Sequence, residues 1–282
     1  MGEAPPATRF GALLRVGVFA FLELAGLVIF SQLLAPLGYL IAATLSTFAA
    51  AATANTLAVR IYERRRLPAI GLGWSAASAR HLLIGFGGGA GSALVVLGGP
   101  LLVGAAEMKP SAEPASWASL GFVSFILLFG AVGEEMLFRG YGFQVLVRVA
   151  GPYATILPTS ALFALAHYGN PNSTRLSVVN TLLWGVIFGC AVLRSGDLWL
   201  PIGIHFGWNW VLPLFGVNLS GFTMKTSGYV MHWKIGELWS GGDYGPEAGL
   251  LCVLVLALLF AYLFKMPIQP QRAPLMHSRE EA

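Results

Sequence analysis

Apolar residues fill this chain in long unbroken blocks separated by short polar stretches. Runs able to cross about 30 Å of hydrocarbon fall near residues 16–34, 38–59, 82–106, 117–149, 152–168, 175–193, 198–215 and 248–264. The pattern predicts about eight transmembrane helices. It excludes a barrel, whose strands would alternate over short segments. Glu23 interrupts the first run and the Gly-rich stretch 85–91 the third. The expected fold class is all-α, a polytopic membrane helical bundle. Its division is a tail over 1–15, one transmembrane domain over 16–264, and a tail over 265–282.

Charge orients the bundle. Arg60, Arg64, Arg65, Arg66 and Arg80 flank the connection after the second helix, which predicts a cytoplasmic loop there. Alternation from that loop puts both termini in the cytoplasm. About 13 of the 17 Lys and Arg then lie on that side, leaving Lys109, Arg175, Lys225 and Lys234 outside.

Composition agrees: 56% of the 282 residues are hydrophobic and 11% charged, against about 25% charged in ordinary soluble domains. Mean hydropathy is +0.71. The net charge of +4 reflects topology, and no basic stripe suggests nucleic acid. The first helix follows Arg9 and Arg15 but precedes no small-residue cleavage site, so it reads as a retained span. Cys190 and Cys252 sit in separate apolar helices without a C-x-x-C pattern, as small core residues. The end Arg-Glu-Glu-Ala carries no prenylation box.

Between the helices, Pro110 and Pro114 mark a loop over 107–116 and fix the start of the fourth helix near Ser116 or Trp117. The stretch 216–247 holds Tyr229, Trp233, Trp239 and Tyr244 among glycines and charges. It reads as an interfacial loop with aromatic anchors, or as a flap over a substrate site. Residues 1–8 and 267–282 are polar, Pro-containing tails expected to be disordered.

Ionisable groups inside apolar helices are costly and default to functional sites. The fourth helix carries Glu134-Glu135-x-x-x-Arg139. Glu135 and Arg139 are i,i+4 and predict an ion pair on one face. Glu134 points about 100° away, with no cation on its own helix. It is the carboxylate left for general-base work, unless all three form a buried clasp. Phe163 and His167 lie on the fifth helix. Glu134 stands seventeen positions before Gly151 and His167 sixteen after it, so a hairpin there brings both to one depth, about 24 Å from the turn. Phe163, one turn from His167, is equally explained by packing. On the seventh helix His205 and Asn209 share a face and offer groups able to donate to a developing oxyanion. His205 is about 10 Å into that helix, so the hairpin tip would project beyond the membrane and the site would lie in the cytoplasmic half. Trp184, Trp199, Trp208 and Trp210 read as packing residues, and Glu23 receives no catalytic role.

Glu-Glu-x-x-x-Arg, Phe-x-x-x-His and His-x-x-x-Asn, in this order on three helices, resemble the CPBP family of intramembrane proteases. That family groups type II CAAX prenyl endopeptidases with bacterial Abi and bacteriocin-processing proteins. The resemblance covers about residues 117–215 and departs from the pattern at no motif position. It implies peptide-bond hydrolysis at or inside a membrane. Glu134 resembles the base that activates water with His167 as partner, Glu135 the carboxylate paired with Arg139, and His205 with Asn209 the oxyanion site.

The family is often labelled metalloprotease, yet the chain lacks His-Glu-x-x-His. Glu134, His167 and His205 would be the ligands of a single divalent metal, zinc by donor type. The favoured reading is water activated by Glu134 with no cofactor. The expected partners are a membrane-associated peptide or protein substrate and the lipid bilayer, with the protein in the cell membrane if the source is bacterial. Two other functions fit buried charges: a transporter using them as an ion relay, disfavoured by the lack of an internal repeat, and a non-catalytic bacteriocin-immunity or scaffold protein.

Overall fold

The computed structural model describes residues 9–224 and 226–276. Residues 1–8 and 277–282 of the two tails, and Lys225, lie outside the described residues. The bundle comprises α1 (Arg9–Leu34), α2 (Tyr39–Ala58), α3 (Ala76–Leu102), α4 (Trp117–Arg139), α5 (Tyr141–Ala150), α6 (Pro152–His167), α7 (Arg175–Ser195), α8 (Trp199–Leu214), the single turn α9 (Glu237–Ser240) and α10 (Leu250–Lys265). Among the described residues, five helical segments are long and apolar enough to cross a membrane: Arg9–Leu37, Tyr39–Glu63, Ala76–Leu102, Trp117–Ala150 and Arg175–Ser195. α6 and α8 have 16 residues each and reach about 24 Å. α10 is apolar and equally short. The protein is an integral membrane protein with a helical bundle fold.

Glycines set the helix spacing. In α3, Gly85 and Gly89 lie four residues apart, as do Gly203 and Gly207 in α8. A Cβ at any of these four would stand 2.0–2.5 Å from a backbone oxygen of the facing helix. The two helices therefore touch backbone to backbone, the small-residue packing favoured where lipid removes the hydrophobic drive. The Gly-rich stretch that weakens the third run as a sequence signal is this contact. α4 rests on α2 where Gly133 meets the Phe48 backbone, and α7 rests on α6 where Gly185 meets Ser160. Each carrier of Glu134, His167 or His205 is thus backed at close range by a neighbouring helix.

Four expectations need correction. The run 117–149 is two helices, broken at Gly140. A side chain there would collide with the Met136 carbonyl and the Asn55 amide. Asn55 of α2 serves the break: Nδ2 donates to the Met136 carbonyl (3.0 Å) and Oδ1 accepts from Tyr141 N–H (2.8 Å). Second, α1 begins at Arg9, inside the expected tail, and α3 spans Ala76–Leu102 where 82–106 is expected. Ser75 caps α3 by accepting from Ser78 N–H.

Third, the bundle is not purely helical. β1 (Ala106–Pro110) and β2 (Tyr229–Trp233) form an antiparallel pair, with Met108 opposite Met231. β2 lies within a stretch expected to be loop, as does β1 apart from Ala106, the expected end of the third helix. Fourth, the tail after α10 docks: Ala273 and Leu275 are buried, and Gln271 Nε2 donates to Ser75, Ser78 and Asp197. Its apolar anchors, few as they are, outweigh its polar composition.

Candidate active site

α4, α6 and α8 bring the singled-out residues to one cavity of about 340 Å³, lined by Glu134, Phe163, His167, His205 and Asn209. Glu134 Oε2 lies 3.7 Å from His167 Nε2 and 3.8 Å from His205 Nε2. That oxygen is buried and has no hydrogen-bond donor, so it is an acceptor aimed into the gap between the two rings. The Glu134 side chain keeps 27% exposure and that of Glu135 none. The neighbours thus divide into an open carboxylate and a sealed one.

Glu135 lies behind the cavity. Its Oε1 accepts from His205 Nδ1 at 2.9 Å and from Arg139 Nη1 at 3.4 Å. The expected i,i+4 pair is present, but the nearer partner is the histidine of α8. Arg139 donates from Nη2 to the Gly185 carbonyl (3.1 Å). Its guanidinium lies over the Phe163, Phe188 and Phe138 rings at 4.6, 5.2 and 5.6 Å. Aromatic faces attract a cation, so this cage holds the charge where water cannot. Phe163 serves as cage wall and as packing, being 3% exposed with His167 4.6 Å away centre to centre.

Tautomers follow from the partners. His167 Nδ1 sits 2.8 Å from the Phe163 carbonyl, which only accepts, so Nδ1 bears the hydrogen and Nε2 presents a lone pair to Glu134. His205 donates Nδ1–H to Glu135, and its ring stacks on Phe188 at 4.9 Å. The His205 ring thus stands between the two carboxylates, one facing each nitrogen.

In kind, two imidazole nitrogens and a carboxylate are ligands zinc accepts. In spacing they are wide: the 3.7 and 3.8 Å separations compare with about 3.3 Å between ligands bound tetrahedrally at zinc distances. Among the described residues, no three His, Cys, Asp or Glu form a metal-holding group. The donor set does not fit a metal as it stands, and the label metalloprotease is not supported.

The sequence did not single out Glu247, which lines the same cavity, buried, from a turn after β2. Its oxygens accept from Trp208 Nε1 and from the N–H and hydroxyl of Ser220. Burial pushes its carboxyl above the ordinary carboxylate range, with the Ser220 bonds pulling it back. The glycines at 241, 242 and 245, all at positive φ, are the one sequence signal that this stretch folds back on itself. Glu23, by contrast, is buried in α1 with neither oxygen hydrogen-bonded and is outside the cavity lining.

Residues 116–211 match the family model described as type II CAAX prenyl endopeptidase, Rce1-like. The match begins at the cap of α4 and ends in α8 beyond Asn209, so it spans all three motifs. Comparison with curated proteins and with solved structures gave no match.

Proposed function

We propose, from the match of residues 116–211 to the type II CAAX prenyl endopeptidase, Rce1-like family model, that the chain is an intramembrane endopeptidase using water activated by Glu134. The observation that carries the reading is the donorless Glu134 Oε2 between two imidazole Nε2 atoms. A water held there donates one hydrogen to Glu134 and the other to His167 Nε2. As it attacks the substrate carbonyl, Glu134 takes its proton. The His205 ring and the Asn209 amide, on the same face of α8, receive the developing oxyanion. The C–N bond then breaks and Glu134 returns its proton to the leaving amine. Glu135, itself paired with Arg139, holds the His205 ring in place.

The substrate in this reading is an apolar segment of a membrane-associated protein or peptide. Leu40, Ile126, Leu127, Leu137, Phe138 and Met224 supply apolar lining to the cavity. The proposed topology is eight crossings with both termini cytoplasmic, which puts the connection after α8 and the cavity face it covers toward the outer side, not in the cytoplasmic half expected. The arginines at 60 and 64–66 and the docking of Gln271 beside Ser75 and Ser78 support one cytoplasmic end for the bundle.

The test is cleavage in membranes carrying wild-type protein, Glu134→Gln or His167→Ala, compared by proteomics with and without a chelator. Each substitution is expected to lower the rate by about 10²–10⁴-fold while the protein still inserts, and the chelator to leave the wild-type rate unchanged. Full activity of Glu134→Gln would sink the mechanism. Loss of wild-type activity with chelator, restored by zinc, would replace the metal-free reading.

A further inference from the structure

The turn Leu219–Phe222 reaches over the cavity from the long connection after α8. Leu219 and Phe222 exchange two backbone hydrogen bonds, 2.9 and 2.8 Å. The two residues between them, Ser220 and Gly221, have φ of 49° and 87°. Left-handed backbone at both central positions makes the tightest two-residue hairpin, a shape that favours Asn-Gly or Gly-Gly. Serine there is strained, and such strain persists only where surroundings impose it.

Glu247 imposes it. One carboxylate oxygen accepts from both the N–H and the hydroxyl of Ser220, and the other from Trp208 Nε1 at 3.3 Å. Trp208 is on α8, one residue before Asn209. The carboxylate therefore ties the turn to the helix that carries His205 and Asn209. Its own backbone is fixed in turn, because Asn180 of α7 donates to the carbonyls of Glu247 and Gly249. Gly221 is pressed against the Pro171 carbonyl, in the loop following His167, with no room for a side chain. On its far side Phe222 stacks on Tyr39, at the start of α2, at 5.9 Å. Leu219, Ser220, Phe222 and Met224 line the cavity.

We infer that Glu247 is a positioning residue that latches the Ser220–Gly221 turn as a roof over the cavity, and that substrate enters where this roof meets Tyr39. The role rests on the endopeptidase reading. The latch itself does not, since its bonds exist whatever the site does. The roof narrows the way to Glu134, and its release admits a peptide segment between Phe222 and Tyr39.

The experiment uses the full chain in nanodiscs with Cys190→Ala and Cys252→Ala. Thr44→Cys, on the α2 wall of the cavity, is labelled with a charged maleimide. With Glu247→Ala, or Glu247→Gln should the alanine variant fail to insert, labelling is expected to speed up about tenfold or more, the factor that loss of one charge-assisted hydrogen bond corresponds to. Against a cleavable peptide, KM should change more than kcat. Ser220→Gly, which relieves the strain but drops the hydroxyl bond, should give an intermediate rate.

Unchanged labelling overturns the latch. A fall in kcat with labelling unchanged also overturns it, by giving Glu247 a part in the chemistry. Faster labelling in a protein whose Glu134→Gln variant retains full activity keeps the roof and rejects the endopeptidase mechanism.

Discussion

Two histidines in this bundle make the same bond and differ in what lies beyond the ring. His205 Nδ1 meets the Glu135 carboxylate at 2.9 Å, and His81 Nδ1 meets the Asp197 carboxylate at 2.7 Å. Both acids are nearly inaccessible. Around Asp197, however, the polar groups are occupied: Oδ1 accepts from the N–H of Trp199 and Leu200 at the start of α8, and Oδ2 from Gln271. His81 Nε2 is buried without a hydrogen-bond partner among the described residues and is outside the lining of the candidate active-site cavity. His205 Nε2 instead opens on Glu134 and the cavity. The same buried histidine–carboxylate pair is thus a closed clamp at one place and opens on an acceptor at the other, and the proposed mechanism makes only the second a part of the catalytic machinery.

The comparison is most sharply tested by removing the acids. Glu135→Ala leaves Arg139 buried in its aromatic cage without a carboxylate, and loss of one partner of a buried pair costs about 3–5 kcal/mol. Thermal unfolding in detergent should register this loss, together with loss of cleavage because His205 is no longer held. If Glu135→Ala melts with the wild type, the cage alone carries the charge and the pair is dispensable.

Next in size is the contrast between the rings. His205→Ala should lower kcat by about 10²–10³-fold, the scale of losing one oxyanion donor, and also lose stability with its bond to Glu135. His81→Ala should lose stability alone, about 1.5–3 kcal/mol, the scale of a hydrogen bond to a charged group, while keeping kcat within a small factor. Equal effects on kcat would erase the distinction between clamp and machinery.

Helices could be read from the sequence because apolar length is a local property. The spacing within each motif could be read for the same reason, since i,i+4 positions share a face wherever the helix sits. The match over 116–211 agrees with the family resemblance those motifs carry. What stayed hidden depends on distant partners. The break at Gly140 requires Asn55, more than 80 residues earlier, and β1 finds β2 about 120 residues later. That His205 is the nearer partner of Glu135 follows only from how α8 packs, through glycines, on α3. Glu247 sits among loop glycines beyond the last motif, and no local pattern distinguishes it from a solvated acid. His81 and Asp197 were not singled out for the same reason: a clamp between two ordinary positions has no spacing.

The smallest effect, and the most specific to the clamp, is a pH dependence at Asp197. This residue lies in the connection between α7 and α8. Burial raises its carboxyl above the ordinary range near 3.8, against the opposing pull of His81 and the Leu200 N–H. An acid whose folded value is raised contributes stability that is full below the unfolded value. That contribution is lost as pH rises through the folded value. Asp197→Asn cannot ionise and still offers an oxygen to cap α8. It should therefore gain on the wild type as pH climbs from about 4 toward neutrality, with its largest deficit at the acid end. Unfolding midpoints of the two proteins across that range give the answer. A deficit that grows with pH would mean that attraction to His81 outweighs burial, making the clamp an ion pair at neutral pH and closer in kind to the His205–Glu135 pair.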